Sequence, residues 1–307
     1  MTEWLISCPA WGNRCVTALI KAALPSMRAA LSYAGARAFF LVQTDQRALL
    51  APLFTSGEVE FRPVPPAKSV HDALGESNRQ AITLASGGQP IAFVNADMLV
   101  SRETFAACTV RFATGKRVII GAATRTLGGA PLIDARSGDL LAWSMQHRHP
   151  TIAQLFWGEG KSSVPWSIYF KRGDNIVLRG FHLHPLACIK DRTIAFKGTT
   201  TDFDLAAAYT RDETHVVRDA NELAMAECSP PDRVFALRSA PSTILSVAEW
   251  AARNTIDVHR WFFRENPIVI KGEDDCGDKD IAEKIINELI SLENARGVQV
   301  PRQYAAR

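Results

Sequence analysis

Motifs that would identify several common enzyme classes are absent from this 307-residue chain. It has no GxxxxGK[ST] loop and no GxGxxG after a strand, which argues against a P-loop kinase and a Rossmann dehydrogenase. It also lacks a GxSxG elbow, which weakens the case for a hydrolase. Its six cysteines form no CxxC pair, so we predict neither a zinc site nor a thiol–disulfide motif, and reduced thiols are the simpler interpretation.

Long apolar runs and a strong charge bias are missing as well. No uninterrupted apolar stretch approaches the ~20 residues that span a bilayer, and the segment Met1–Ile6 does not open a signal peptide. The 35 basic and 32 acidic side chains leave a net charge of +3, which is too even to predict nucleic-acid binding. The hydrophobic share of 47% is typical of a globular protein with a substantial core. We therefore expect a cytoplasmic globular protein.

The first 125 residues alternate between short apolar runs and amphipathic segments. The runs predict strands at 4–8, 38–43, 59–63, 91–94 and 117–123. The segments between them predict helices at 13–33, 45–54, 70–86 and 102–114. Asn13 is the predicted N-cap of the first helix, and Pro25 its kink. Strands that alternate with helices predict an α/β fold with a Rossmann-like, mostly parallel sheet flanked by helices.

Beyond residue 125 this alternation ends. Turn signals lie at 128–131 and 137–139, a helix is predicted across 143–157, and two strands at 167–170 and 175–178. Helices over 243–263 and 278–295 follow. We predict an α/β half at 1–125, an irregular half of the same domain at 126–265 that forms the other wall of a cleft, and a helical tail at 266–307.

Polar residues follow three of the predicted strands, in Trp11-Gly12-Asn13, Thr44-Asp45 and Asn95-Ala96-Asp97. Ligands bind beyond the carboxyl ends of strands in such sheets. The third segment is the strongest candidate, because it follows a strand without polar side chains. A hard divalent cation that bridges a diphosphate needs one or two carboxylates from the protein. The alternative is that Asp97 is a turn residue that caps the next helix.

Two later segments carry further candidate groups. His182 and His184 are two residues apart, so on an extended chain at most one of them faces the cleft. A neutral imidazole suits Mn²⁺, while the alternative is a histidine bonded to a backbone carbonyl. Asp202 and Asp204 flank one residue, as a metal or acid/base pair does. The alternative is that Asp202 and the threonines before it cap a helix that begins near Phe203.

Other residues are weaker candidates. Glu159 competes with the two aspartates for the role of base. Trp11 and Trp166 could stack on a base or sugar ring, although buried tryptophans are commoner. Basic side chains could neutralise a diphosphate, although surface charges are the default; they are Arg79, Arg125, Lys171, Arg172 and Lys197.

Taken together, over roughly residues 4–265, these segments resemble the GT-A class of glycosyltransferases. Cys8–Gly12 resembles the opening strand and loop of bacterial members, and Gln43-Thr44-Asp45 the second strand end, where such enzymes contact the nucleotide. Asn78 lies on the helix before the strand Ile91–Val100, which is similar to the strand that carries the DxD motif. The segments Gly180–Pro185 and Thr201–Asp204 resemble the acceptor-side half.

The resemblance implies a GT-A-like fold and transfer of a sugar from a nucleotide-diphosphate sugar, a UDP-sugar before others. The acceptor would be a hydroxyl of a glycan, lipid or protein, as in polysaccharide biosynthesis, in the cytoplasm or peripherally at the inner membrane surface. It also implies a set of donor-binding residues: Pro9, Trp11, Gly12, Asp45, Asn78, Asn95, Ala96 and Asp97. It further implies Asp202 and Asp204 as catalytic carboxylates, and Asp97 and His184 as ligands of Mn²⁺ or Mg²⁺.

One departure from the family pattern leaves alternatives open. Asn95 stands where the DxD motif has its first carboxylate, and a neutral amide adds no charge. Either Asp97 carries the metal with a histidine, or the enzyme is metal-independent and basic side chains stabilise the leaving diphosphate. The chain could also be a sugar-phosphate nucleotidyltransferase, although its first loop is poor in glycine, or a catalytically weak binding or scaffold protein on this fold.

The C-terminal segment 278–292 has apolar residues at a helical spacing. They are Ile281, Ile285, Ile286, Leu289 and Ile290. We expect this face to pack on the domain itself or on a second subunit, which would make the protein a homo-oligomer.

Overall fold

The computed structural model describes residues 2–127, 131–150, 156–158, 167–196, 201–229, 241–273 and 276–295, apart from the side chains of residues 202 and 206. Strands and helices alternate through the first part of the chain: β1 (Glu3–Ser7), α1 (Gly12–Ala18), α2 (Leu24–Tyr33), β2 (Arg37–Gln43), α3 (Arg47–Leu50), β3 (Val59–Arg62), α4 (Val70–Leu84), β4 (Pro90–Phe93), β5 (Met98–Val100), α5 (Thr104–Ala113), β6 (Val118–Gly121), β7 (Ala123–Leu127) and α6 (Ser137–Gln146). The later elements are β8 (Ser167–Arg172), β9 (Asn175–Gly180), β10 (His184–Ile189), α7 (Thr201–Ala208), β11 (Thr214–Val216), β12 (Met225–Ser229), α8 (Ile244–Asn254), α9 (Asp257–Glu265), β13 (Ile268–Lys271) and α10 (Asp278–Ala295).

A seven-stranded sheet in the order β11-β6-β10-β4-β1-β2-β3 forms the centre of the first part. β3, β2, β1 and β4 pair in parallel, β10 runs antiparallel to β4 and β6, and β11 is parallel to β6. A small sheet, β5-β12-β7, lies in the same compact unit. The predicted α/β class with a mostly parallel sheet is confirmed.

The central strands read as apolar runs because helices cover both faces of the sheet. Trp4 and Ile6 of β1 are fully buried in one cluster with α1, α2 and α5. The next side chains along β1 point to the opposite face, where Ser7 is also fully buried. This double burial fixes the strand register, and with it the position of the loops at the strand ends.

The first helical region spans the predicted range but is irregular in the middle. A turn of π-helix, Leu19–Ala23, joins α1 to α2. Pro25 stands in the first turn of α2, and because it has no N–H it cannot donate to the preceding turn. The predicted N-cap was wrong: Trp11 occupies that position, and the Asn13 side-chain oxygen accepts a bond from Gln46 Nε2 at 2.8 Å instead.

The chain divides into two compact units, residues 1–147, 184–217 and 221–229 as unit 1, and 148–183, 218–220 and 230–307 as unit 2. These units cut across the boundaries predicted at residues 125 and 265. Unit 2 contains the antiparallel sheet β13-β9-β8 and the helices α8, α9 and α10. No helix within the described ranges is long and apolar enough to cross a membrane.

The apolar face of α10 packs inside unit 2. Ile285, Ile286 and Leu289 are buried in one cluster with Val247 and Ala251 of α8. This is the first of the two packing modes predicted for the helix. A second subunit is therefore not needed to cover most of this face, and the predicted homo-oligomer gains no support from it.

Several predictions of local structure were wrong. β5, β10, β11, β12 and β13 were missed, and β13 lies in the segment that was predicted as a helical tail. The helix predicted at 143–157 is α6, which starts earlier, at Ser137, and ends at Gln146. The single helix predicted at 243–263 is two helices, α8 and α9, with Thr255 extended between them. The second helix begins where the Ile256 N–H donates to His259 Nδ1 at 3.3 Å.

Candidate functional site

The strand order of the large sheet reverses between β1 and β4. From β1 the chain adds β2 and β3 on one side, and then returns to place β4 on the other. The Val94 N–H donates to the Ser7 carbonyl at 3.0 Å, so the two strands stay paired to their carboxyl ends. The crevice outside such a switch point is where open α/β sheets bind ligands. The loops that follow β1, β2 and β4 therefore define the candidate site.

The loops after β1 and β2 are bonded to each other. The Gly12 N–H donates to the Asp45 carboxylate at 3.0 Å. Gly12 has a φ of +70°, a conformation that costs other residues free energy. Pro9 is buried and Trp11 is partly exposed in the same loop, while Asp45 is exposed. The structure thus brings together the residues predicted after the first two strands.

The segment Asn95-Ala96-Asp97 is a tight turn between two strands. The Met98 N–H donates to the Asn95 carbonyl at 3.0 Å, and Ala96 and Asp97 form the corner. The next element is β5, and the helix after it, α5, begins without a side-chain cap. Asp97 is therefore not the cap of a helix, and the alternative stated in the sequence analysis is wrong. Asn95 and Asp97 are both partly exposed.

A strand more than one hundred residues away fixes the position of Asp97. The Cys228 N–H, in β12, donates to the Asp97 carbonyl at 2.7 Å. Burial and, after it, the negative charge of Asp97 raise the pKa of the Cys8 thiol. Burial raises the pKa of Cys228 as well, and the Asp97 carboxylate adds to that shift. Both thiols therefore stay neutral beside the carboxylate, and neither is suited to act as a nucleophile.

The two histidines separate into different units. His184 begins β10 in unit 1, and its Nε2 donates to the carbonyl of Phe93, the last residue of β4, at 2.7 Å. Since a carbonyl only accepts, a neutral His184 ring leaves Nδ1 as the nitrogen that can bind a metal. His182 lies in unit 2, where its Nε2 is 3.1 Å from the Asn254 carbonyl.

Asn78 joins three elements of unit 1. Its side-chain oxygen accepts a bond from Ser7 Oγ, at the end of β1, at 2.9 Å. Its Nδ2 donates to Oγ1 of Thr201, the first residue of α7, at 3.0 Å. All three side chains are buried. Asn78 therefore connects the end of β1 to α7. It was predicted as a donor-binding residue, and this structural role was not predicted.

The two predicted catalytic aspartates both lie in α7. The side chain of Asp202 lies outside the described residues, so the pairing of the two carboxylates stays a prediction. Asp204 is buried and accepts a bond from Arg79 Nε at 3.1 Å. Arg79, a candidate for neutralising diphosphate, thus has its charge balanced by a carboxylate. The catalytic role of either aspartate stays a prediction.

The residues at the switch point provide a small donor set for a cation. Among the described residues, no group of three or more His, Cys, Asp or Glu side chains is placed to hold a metal ion. Asp97 supplies one carboxylate, which fits a hard cation that takes its remaining ligands from phosphate and water. The predicted set also includes the Asn95 amide and His184, whose ring bonds to the carbonyl of Phe93, two residues before Asn95.

The other candidates are dispersed. Glu159, Trp166 and Lys197 lie outside the described residues. Arg125 forms an ion pair with Glu227 at 2.9 Å. Lys171 and Arg172 are exposed residues of β8 in unit 2.

Two residues that shape the site were not predicted: Ser7, which bonds to Asn78, and Cys228, whose N–H bonds to the Asp97 backbone. Thr201 was named only as part of the segment Thr201–Asp204, and its bond to Asn78 was not predicted. Ser7 did carry a signal, since it is a polar residue directly after the apolar run Trp4-Leu5-Ile6. The bonds of Thr201 and Cys228 have no local signal, because their partners are distant in sequence.

Neither the family models nor the curated protein sequences give a match to the chain. Among solved structures, it is similar to S. aureus TarS 1-349, at 12% identity and a TM-score of 0.42 over 99% of this chain and 77% of that one. The same protein in complex with UDP-GlcNAc gives 11% and 0.43 over 99% and 78%, and in complex with UDP 11% and 0.37 over 99% and 77%. TarS is a GT-A-type glycosyltransferase, the class named in the sequence analysis.

Proposed function

We propose that this protein is a glycosyltransferase that moves a sugar from a nucleotide-diphosphate sugar to a hydroxyl acceptor. The observation that carries the proposal is the placement of Gly12, Asp45 and Asp97 beyond the carboxyl ends of β1, β2 and β4, at the switch point of the sheet. The chain's own residues must support it, because the likeness to TarS stays at TM-scores of 0.37–0.43.

The two sides of the switch point differ in a way that suits a nucleotide sugar. On the β1–β2 side, Asp45 is exposed and tied to the Gly12 N–H. A carboxylate there can accept hydrogen bonds from a nucleobase or a ribose hydroxyl. On the β4 side, the turn with Asp97 offers a second carboxylate where the diphosphate would lie. We propose a UDP-sugar as the donor, following the sequence resemblance.

In the proposed reaction, the acceptor hydroxyl oxygen bonds to the anomeric carbon of the sugar. The bond between that carbon and the diphosphate oxygen breaks, and the nucleoside diphosphate leaves with the electron pair. In an inverting reaction, a carboxylate takes the proton of the hydroxyl. We assign this role to Asp202, in the first turn of α7. Asp204 is buried in its bond to Arg79, so we assign it to structure.

We propose that Mn²⁺ or Mg²⁺ binds beside Asp97 together with the donor, with His184 Nδ1 as a second ligand. When bound, such a cation offsets the negative charge of the leaving diphosphate. Asp97 would hold the ion, and Asn95 would bond to a coordinated water or to the ribose.

The setting of the reaction is also proposed. No disulfide joins any of the six cysteines, all of which lie in the described part of the chain, and this supports a reducing compartment. We propose that transfer takes place in the cytoplasm or at the inner membrane surface, onto a glycan, lipid or protein hydroxyl, as in polysaccharide biosynthesis.

Calorimetry with a panel of nucleotide sugars, with and without Mn²⁺, tests the proposal. We expect at least one nucleotide sugar to bind, and Asp97→Asn to weaken it about 10-fold or more, because a bond to a charged group is lost. Asp212→Asn is the control, since Asp212 is exposed and comes directly before β11. β11 is an outermost strand of the sheet, away from the switch point between β1 and β4.

Three results would contradict the proposal. If no nucleotide or nucleotide sugar binds under either condition, the glycosyltransferase assignment fails. If the protein instead releases pyrophosphate from a nucleoside triphosphate and a sugar phosphate, it is a nucleotidyltransferase. An Asp97→Asn variant that binds as tightly as the wild type would remove Asp97 from the donor site.

A further inference from the structure

Two hydrogen-bonded connections join α4 to the beginning of α7. In the first, Asn78 of α4 bonds to Ser7 at 2.9 Å and to Thr201 at 3.0 Å. In the second, Arg79 Nε, on the next residue of α4, donates to Asp204 Oδ2 at 3.1 Å. We call these five residues the α4–α7 clamp. It ties the first turn of α7 to α4 and to the end of β1.

The clamp is buried, so its bonds are costly to break. The side chain of Asp204 is 0% exposed and that of Arg79 is 19% exposed. A buried carboxylate requires a partner, and removal of one member of a buried ion pair is far more damaging than loss of a surface pair. The arginine guanidinium also lies 5.7 Å from the ring centroid of Phe196, which limits its movement.

From these contacts we infer that the α4–α7 clamp positions Asp202 for proton removal, and that Arg79 and Asp204 are positioning residues for this step. The inference rests on the proposed function. Asp202 lies between Thr201 and Asp204, the two α7 residues that the clamp holds. A base must be held within a fraction of an ångström of its working position, and this requires fixed neighbours.

The competing role for Arg79 is neutralisation of the donor diphosphate. Arg79 Nε lies 3.1 Å from the fully buried carboxylate of Asp204, and its Nη1 lies 3.8 Å from that of Glu76. A guanidinium placed between these two carboxylates has its charge offset inside the protein. The two roles differ in what a substitution changes: a positioning residue affects kcat, while a diphosphate ligand affects donor affinity.

The test uses Asp204→Asn and Arg79→Lys in the full chain. We expect Asp204→Asn to lower kcat about 10- to 100-fold, the size expected for a misplaced catalytic group, with the donor Kd within about 2-fold. Arg79→Lys keeps the charge opposite Asp204, so its kcat should fall less than that of Asp204→Asn. Asp191→Asn is the control, because it removes a carboxylate from the Arg117–Asp191 pair in the same unit, at 2.9 Å and with side chains 32% and 28% exposed.

Hydrogen exchange over residues 201–208 supplies a readout that does not depend on transfer, with faster exchange expected in Asp204→Asn but not in the control. Should Asp204→Asn fail to fold, Thr201→Val decides, since it removes only the bond from Asn78 and keeps the shape of the side chain. Here too kcat should fall and exchange over α7 should rise, with the donor Kd unchanged.

Four outcomes overturn the inference. If hydrogen exchange in α7 is unchanged in Asp204→Asn and Thr201→Val, the clamp does not hold α7. If exchange is faster but kcat is unchanged, the clamp does not position the base. A loss of donor affinity without a change in kcat makes Arg79 a diphosphate ligand. If the wild-type chain transfers no sugar at all, the proposed function fails and the positioning role fails with it, while the exchange data still report separately whether the clamp exists.

Discussion

The buried ion pair in unit 2 gives the sharpest prediction for stability. Arg179 and Asp278 are each 3% exposed, and Arg179 Nε donates to Asp278 Oδ2. The same guanidinium donates through Nη1 to the carbonyls of Phe263 at 2.8 Å and Arg264 at 2.6 Å, at the end of α9. One side chain of β9 therefore joins the end of α9 to the start of α10.

Asp278→Asn removes the charge that balances Arg179 without changing the size of the side chain. Breaking a buried pair in this way costs about 3–5 kcal/mol. At about 4 °C per kcal/mol for a unit of this size, the melting temperature of unit 2 should fall by about 12–20 °C. Replacing both residues, as Arg179→Met with Asp278→Leu, should cost less than the single change, because no unpaired charge remains buried.

Urea denaturation followed by circular dichroism measures the loss of unfolding free energy, and a thermal scan measures the fall in melting temperature. Hydrogen exchange shows which part of the protein is destabilised. The control is Glu283→Gln, which breaks the Arg264–Glu283 pair between the same two helices. Its side chains are 46% and 37% exposed, so the cost should stay below about 1 kcal/mol. If Asp278→Asn costs no more than this control, the buried pair does not hold α9 and α10 together, and the reasoning is refuted.

Two further predictions concern unit 1. Gly12 and Gly35 have φ values of +70° and +59° with no heavy atom within 4 Å of an added Cβ, so either glycine changed to alanine should cost about 1–2 kcal/mol in urea denaturation. Only Gly12→Ala should also weaken nucleotide-sugar binding. If both variants bind the nucleotide sugar equally well, Gly12 does not belong to the binding site. Although burial acts to raise it, hydrogen bonds from His215 and Arg111 lower the pKa of Glu222 from 4.5 to about 2. The ionised Glu222 carboxylate therefore stabilises the folded protein by about 2–3 kcal/mol at most. This contribution is present above pH ~4.5 and is lost as pH falls towards ~2. Glu222→Gln should flatten the decline of unfolding free energy in that window, and an unchanged decline would exclude this pair as its source.

Much of the α/β core could be predicted because its signal is local. The apolar runs around Leu5, Leu41 and Ala92 mark strands that are buried on both faces, and turn or helix residues punctuate them. β5 was missed because Met98–Val100 is too short to show a period, and its partner β12 lies far along the chain.

The helix errors have a similar origin. α6 begins where the Ser137 N–H and hydroxyl both donate to the Glu103 carboxylate at 3.0 Å. This cap comes from a distant residue, so the segment reads as a turn in the sequence. The break before α9 uses His259 as the acceptor for a backbone N–H, a residue outside the usual set of capping side chains.

The sequence allowed us to predict which residues lie at the candidate site, but not which residues bond to each other there. Because β1, β2 and β4 are parallel neighbours, residues that follow them must meet at one edge of the sheet, and the structure brings Gly12 and Asp45 into contact. The bonds from Asn78 to Ser7 and Thr201 span 71 and 123 residues. No local pattern encodes such bonds, because folding alone brings the partners together.

A crystal structure of the protein soaked with a UDP-sugar and Mn²⁺ tests the central claim most directly. We predict that the nucleotide binds at the switch point, between the loop 8–12 and the turn 94–97. Asp45 should contact the nucleoside, and Asp97 the diphosphate or its cation. A nucleotide bound elsewhere, or bound at the switch point without any contact to Asp97, directly or through the cation, would contradict the proposed function.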